Sequence, residues 1–150
     1  MKNNFAEIYS QHEALAARYN EASQKNDREG MEQARDEHRA LNEKVAANGR
    51  AYARLYELYA DARERGNDYI DLSEIYDYRD EAQLIADMRE YGIEAFTFSP
   101  SWTQALESAW LFTQNGCTLE GMVEINDRCK VILSDEHEKR HALMFRVQEG

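Results

Sequence analysis

His137-Glu138-Lys139-Arg140-His141 has the spacing of a metal-dependent hydrolase motif, H-E-x-x-H, in which two histidines one helical turn apart bind zinc and the glutamate activates water. That chemistry requires a packed helix and a third ligand downstream. Only nine residues follow His141, they alternate as a strand would, and Met144 and Val147 stand where the longer form of the motif carries Gly and His. Cys117 and Cys129 are the remaining soft ligands, but the eleven residues between them match neither a zinc finger nor a zinc ribbon. A zinc hydrolase using His137, Glu138 and His141, with Cys117 and Cys129 completing the ligand set, is thus the alternative to a charged hairpin loop. No cofactor is expected.

Other reactive residues lack the company that chemistry needs. Thr97-Phe98-Ser99-Pro100-Ser101 follows a strand and precedes a helix, where α/β proteins hold anions, yet the glycines of a phosphate-binding loop are missing. Cys117 has no base nearby in sequence to activate it. His12 and His38 fall in neighbouring layers of a helical seam without a Cys or carboxylate beside them, which suits histidines satisfied by a hydrogen bond rather than metal ligands.

Carboxylates are a different matter, because they are abundant and segregated. Residues 1–66 hold 11 Lys/Arg against 12 Asp/Glu, and residues 67–150 hold 7 against 17, a net of −10. Such a field repels nucleic-acid phosphates and attracts basic surfaces, so direct nucleic-acid binding is not expected. The densest strip carries Asp68, Asp71, Glu74, Asp77, Asp80, Glu81, Asp87, Glu90 and Glu94 against Arg79 and Arg89, a net of −7 in 27 residues. Tyr69, Tyr76, Tyr78 and Tyr91 are interleaved. Carboxylates mixed with tyrosines can engage Arg/Lys-rich grooves by charge-assisted hydrogen bonds and aromatic anchoring, and the expected partner-binding set is Asp68, Asp71, Glu74, Asp77, Asp80, Glu81, Asp87, Glu90, Tyr76 and Tyr78.

The elements that position these residues follow from periodicity. Phe5, Ile8, His12, Leu15, Tyr19 and Ala22 form the stripe of a first helix. Asn26 with Glu29 reads as the cap and capping-box partner of a second, whose stripe runs from Met31 to Ala62 without losing phase at Gly49. One long helix over 27–65 is predicted, about 58 Å at 1.5 Å per residue, with room for a bend at Gly49. Folded back on it, the first helix ends before Tyr52, Leu55, Tyr56 and Tyr59, leaving that stripe for another part of the chain or for a dimer partner to cover.

A boundary at 66–68 separates this hairpin, 1–66, from a small α/β (α+β) body, 67–150. There Tyr69–Leu72 reads as a strand, and Asp77 as the cap of a helix burying Leu84, Ile85, Met88 and Tyr91. Ala95–Phe98 is a second strand, followed by a helix burying Trp102, Ala105, Leu106, Ala109, Trp110 and Thr113. Leu119–Ile125 completes β-α-β-α-β, a small parallel sheet with right-handed crossovers, and Cys129–Leu133 with Ala142–Val147 extends it as a C-terminal hairpin.

Asp68-Tyr69-Ile70-Asp71-Leu72, Phe96-Thr97-Phe98-Ser99, Ala109-Trp110-Leu111-Phe112 and Leu119-Glu120-Gly121-Met122-Val123-Glu124-Ile125-Asn126 resemble a group of small uncharacterised proteins carried by phages and conjugative elements of Gram-positive bacteria. The likeness covers roughly 67–147 and includes no catalytic motif. It implies a mobile-element setting, in which small acidic proteins often inhibit host defence enzymes. The expectation is a non-enzymatic inhibitor that binds a basic, nucleic-acid-binding host protein such as a CRISPR effector or restriction enzyme, by occlusion or phosphate mimicry. A structural dimerisation module is the other alternative. With neither an export signal at the N-terminus nor an apolar run near eighteen residues, a cytoplasmic protein without a membrane span is expected, its two cysteines reduced.

Overall fold

The computed structural model describes residues 3–72, 80–100 and 105–149. These fall into two compact units, Asn3–Tyr56 and the residues from Glu57 onward.

In the first unit α1 (Phe5–Gln24) and α2 (Arg28–Ala47) run antiparallel. Arg18 and Glu37 meet at 2.5 Å, and Arg35 donates to the Tyr19 hydroxyl at 2.9 Å. The α2 cap is Asp27 instead of Asn26: its carboxylate accepts from the Gly30 amide at 3.0 Å, while Asn26 takes φ +55° to close the turn. The predicted continuous helix is broken. α2 stops at Ala47, Gly49 adopts φ +102°, and α3 (Arg50–Arg65) starts anew. Apolar phase survives the break because each helix buries its own stripe, and a periodicity argument cannot see a left-handed residue between them.

That break decides what covers the tyrosine stripe. Phe5 packs edge-on against Tyr52 and Tyr56, with ring centroids 5.0 and 5.7 Å apart, and the Tyr52 hydroxyl bonds the Asn4 side chain. Tyr52, Leu55 and Tyr56 are buried within the chain and Tyr59, in the second unit, is half-buried, which is the first of the two alternatives expected for the stripe.

The second unit adds β1 (Ile70–Leu72), α4 (Glu81–Glu90), β2 (Ala95–Phe98), α5 (Ala105–Gln114), β3 (Cys117–Lys130) and β4 (His137–Val147) to the end of α3. The α+β class is as expected, but the order is β-α-β-α-β-β, with four strands where five were predicted. Within the four-stranded sheet, ordered β1-β2-β4-β3, only β1 and β2 are parallel, because β4 inserts antiparallel between β2 and β3. Leu119–Ile125 and the residues after Cys129, expected as two strands, belong to one long β3 with register shifts at Leu119/Gly121 and Asn126/Lys130; the turn falls at 131–136. Gly121, at φ +135°, supplies the backbone for the first shift. Asp80 caps α4, accepting from the Gln83 amide at 3.2 Å. Asp77 lies outside the described residues.

Four phenylalanines form the core between α5 and the sheet. Phe112 of α5 sits 5.1 Å from Phe96, 5.0 Å from Phe98 and 5.4 Å from Phe145. This fixes the rotation of α5 so that Ser108 and Phe112 face inward, with Ala105 and Ala109 half-buried. Leu106, Trp110 and Thr113, expected inside, are exposed; Trp102 lies outside the described residues. The helix carries apolar residues on more than one face, so spacing alone supports either phase, and the aromatic cluster selects one. Phe112→Ala is expected to cost about 3–5 kcal/mol of unfolding free energy and Trp110→Ala less than about 1 kcal/mol, as read by urea denaturation.

Candidate protein-interaction surface

With α5 in this rotation, Leu106 is 84% and Trp110 60% exposed. Facing residues across an antiparallel ladder share a side of the sheet, and Leu119 is opposite Phe145 while Met122 is opposite Leu143, which is itself opposite Phe98. Leu119 and Met122 therefore lie on the α5 side of edge strand β3, and both are exposed, Met122 to 65%. Single exposed apolar residues are ordinary, but Trp, Leu and Met on one helix and one adjoining strand are the candidate for an anchoring surface. Glu107, Glu120 and Glu124 are exposed on the same two elements; Glu120 is paired with Arg146 at 2.9 Å.

The acidic strip is split between interior and surface. Asp71 is 3% exposed: it receives Nη1 of Arg65 at 3.1 Å and the Thr97 hydroxyl at 2.8 Å. Arg65, itself 2% exposed, also bonds Asp61, to which Arg128 adds a contact at 3.1 Å. Asp87 is buried and accepts from Gln83 at 2.9 Å. Asp71 and Asp87 are thus removed from the expected partner-binding set, because each is enclosed and held by a neighbour of its own unit. Glu81 is half-buried and accepts from the Ser108 hydroxyl at 3.0 Å, tying α4 to α5. Asp68, Asp80, Glu90 and Glu94 are exposed, whereas Glu74, Tyr76, Asp77 and Tyr78 lie outside the described residues. Asp68 and Glu124 also line a recess of about 240 Å³ together with Asn67, Tyr69, Asn126 and Lys139.

The hydrolase motif does not assemble. His137, Glu138 and His141 are on strand β4, where four residues advance the chain by about 13 Å and alternate residues point to opposite faces. His137 and His141 cannot share one ion at that separation, and Glu138 faces away from both. Cys117 pairs with Val147 at one end of β3, and Cys129 lies near the other end. Burial pushes the Cys117 thiol up to about 11, against the lesser pull of Arg89, the reverse of what a nucleophile or metal ligand needs. Among the described residues Asp127, Cys129 and Glu138 bring ligand atoms within 4.8 Å of one another. The Asp127 carboxylate there already accepts from the Arg128 amide at 2.7 Å and lies 3.7 Å from Arg140. In the hydroxyl-rich loop Thr97 donates to Asp71 and the Ser99 carbonyl accepts from Arg140, whereas the Ser99 hydroxyl is buried without a hydrogen-bond partner among the described residues, and Ser101 lies outside them.

In the first unit the seam histidines do meet, with Nδ1 of His12 and Nδ1 of His38 at 3.0 Å, one donating to the other. Burial first and His38 second lower the pKa of His12.

The family described as Domain of unknown function (DUF7698) matches residues 54–147. The chain belongs to this family. No significant match to a curated protein or to a solved structure was found. The DUF7698 match takes in every residue of the anchoring surface and carries no sign of catalytic activity. Among the described residues no helix is long and apolar enough to cross a membrane. Trp110 and Leu106 were missed as surface residues by periodicity; the available signal was the surplus of apolar residues in 105–112, more than one buried face requires.

Two outcomes test this division of roles. Asp71→Ala leaves the enclosed Arg65 with Asp61 as its remaining carboxylate and is expected to cost about 1.5–3 kcal/mol in urea denaturation, whereas Asp68→Ala changes stability by no more than about 0.5 kcal/mol. For His12, whose folded pKa lies below 6.5, the unfolded chain takes the proton first, so its effect on stability is nil above that pH and unfavourable as pH falls through it. His12→Gln should therefore narrow the difference in urea midpoint between about pH 7.5 and about pH 5.

Proposed function

We propose that the second unit is a non-enzymatic docking module that seats Trp110, Leu106 and Met122 in apolar recesses of a basic partner protein. The observation that carries this reading is the exposure of these three side chains beside a well-filled aromatic core. A Trp and a Met held on secondary structure lose little conformational freedom on binding and bury much apolar area. The net charge of −10 over 67–150 favours a partner of opposite sign and accelerates encounter. Asp68, Asp80, Glu90 and Glu94 supply the acidic surround in place of the fuller strip.

The resemblance to mobile-element proteins supports, as the proposed partner, a host nucleic-acid-binding defence protein such as a CRISPR effector or restriction enzyme, met in the cytoplasm. Inhibition follows by occlusion: apolar anchors hold the complex while carboxylates occupy positions that phosphates take in the partner's groove. The carboxylates act as steering groups and not as the source of most of the affinity.

Capture from bacterial lysate tests this with the full chain as bait. Basic proteins are expected, retained less as salt rises and eluted by added DNA or RNA. The doubly substituted bait Leu106→Ser/Trp110→Ala should lose at least about tenfold in retention while keeping its urea midpoint. Retention that is indifferent to ionic strength, or equal for the two baits, contradicts the reading.

A further inference from the structure

We propose that the β3–β4 hairpin tip of one chain docks in the α1–α2 groove of a second copy. The tip is Val131-Ile132-Leu133, exposed to 43%, 87% and 103%, an unusual place for three consecutive aliphatic residues. It is held by its own bonds: the Val131 amide donates to the Glu136 carbonyl at 2.8 Å, and the Ser134 amide to the Val131 carbonyl at 3.0 Å. Leu133 is kept at φ +60°, a backbone region that side-chain-bearing residues avoid, so the turn sustains local strain while holding this side chain in solvent. Asp135 and Glu136 follow immediately and are exposed.

The groove offers the complement. It offers about 510 Å³ between α1 and α2, lined by Leu15, Ala16, Tyr19 and Ala34 together with Arg35 and Arg39, a volume within the roughly 300–1,000 Å³ of clefts that bind small ligands. The Arg35 guanidinium is held 5.4 Å from the centre of the Tyr19 ring, and Arg39 lies 3.5 Å from Asp36. An aliphatic tip preceded by Lys130 and followed by two carboxylates, and a mainly apolar groove with two guanidiniums beside Asn20, His38 and Asn42, match in polarity, and Asp135 and Glu136 match Arg35 and Arg39 in charge. The occupant this match selects is another molecule of the same chain. Carboxylates beside the tip disfavour insertion into an anionic membrane surface. Each chain carries one tip and one groove, so two copies can pair through both. This surface is separate from that of α5 and β3 and does not depend on the function proposed for it.

Sedimentation equilibrium of the full chain from about 1 µM to about 1 mM tests the proposal, a range that captures a weak dimer. A concentration-dependent dimer is expected. Ile132→Ser, at an exposed site, should raise its dissociation constant at least about tenfold. Arg35→Glu/Arg39→Glu should weaken it similarly, and adding Asp135→Arg/Glu136→Arg to that same chain should restore it, because the charge pairs are exchanged. A chain that stays monomeric throughout, a dimer indifferent to Ile132→Ser, or a failure of the four-residue exchange to restore association overturns the proposal. Monomers that bind phosphatidylglycerol-containing vesicles through Ile132 also overturn it, in favour of a membrane.

Discussion

Phe112 occupies the space left between Phe96, Phe98 and Phe145, and the surface of the second unit depends on that placement. A helix ten residues long has one rotation in which its aromatic fills such a site, and the rest of its side chains must accept the consequence. For α5 the consequence is that Leu106 and Trp110 face solvent. Their exposure is not incidental looseness, since the same rotation gives a core with Phe96, Phe112 and Phe145 fully enclosed.

A second constraint acts on the opposite face of the sheet. Arg65 enters from α3 and is met by Asp61 and Asp71, while Thr97 of β2 donates to Asp71. Removing two charges from water is costly unless each finds good partners, and here the guanidinium is shared between two carboxylates. Part of the acidity that marks this chain is consequently structural. The external field comes from residues such as Asp68, Glu90 and Glu94, which stay exposed.

How much of this was legible in the residues depended on the kind of physics involved. Strands and helices were legible because Ala95–Phe98, Leu84–Met88 and Phe5–Ala22 carry clear periods, and so was the α+β order. The break at Gly49 was hidden because the stripes on either side stay in phase, and only its positive φ exposes it. β4's insertion between β2 and β3 was hidden because pairing is a non-local choice that alternation cannot encode. At the site, acidity was visible but its division was not: Asp71 and Glu94 are identical in kind to a composition count, and their burial separates them. The H-E-x-x-H tract is the converse case, a spacing meaningful on a helix that loses its meaning on strand β4.

On the proposed function, Trp110, Leu106 and Met122 lie open in the free protein and are covered by a partner. Hydroxyl-radical footprinting with mass spectrometry measures this directly, on the free chain and on the complex recovered from bacterial lysate. The account predicts rapid oxidation of all three residues in the free chain, slow oxidation of Phe112 and Phe145, and marked protection of Trp110 and Met122 in the complex. Trp110 as unreactive as Phe112 in the free chain, or equally reactive in both states, would contradict it.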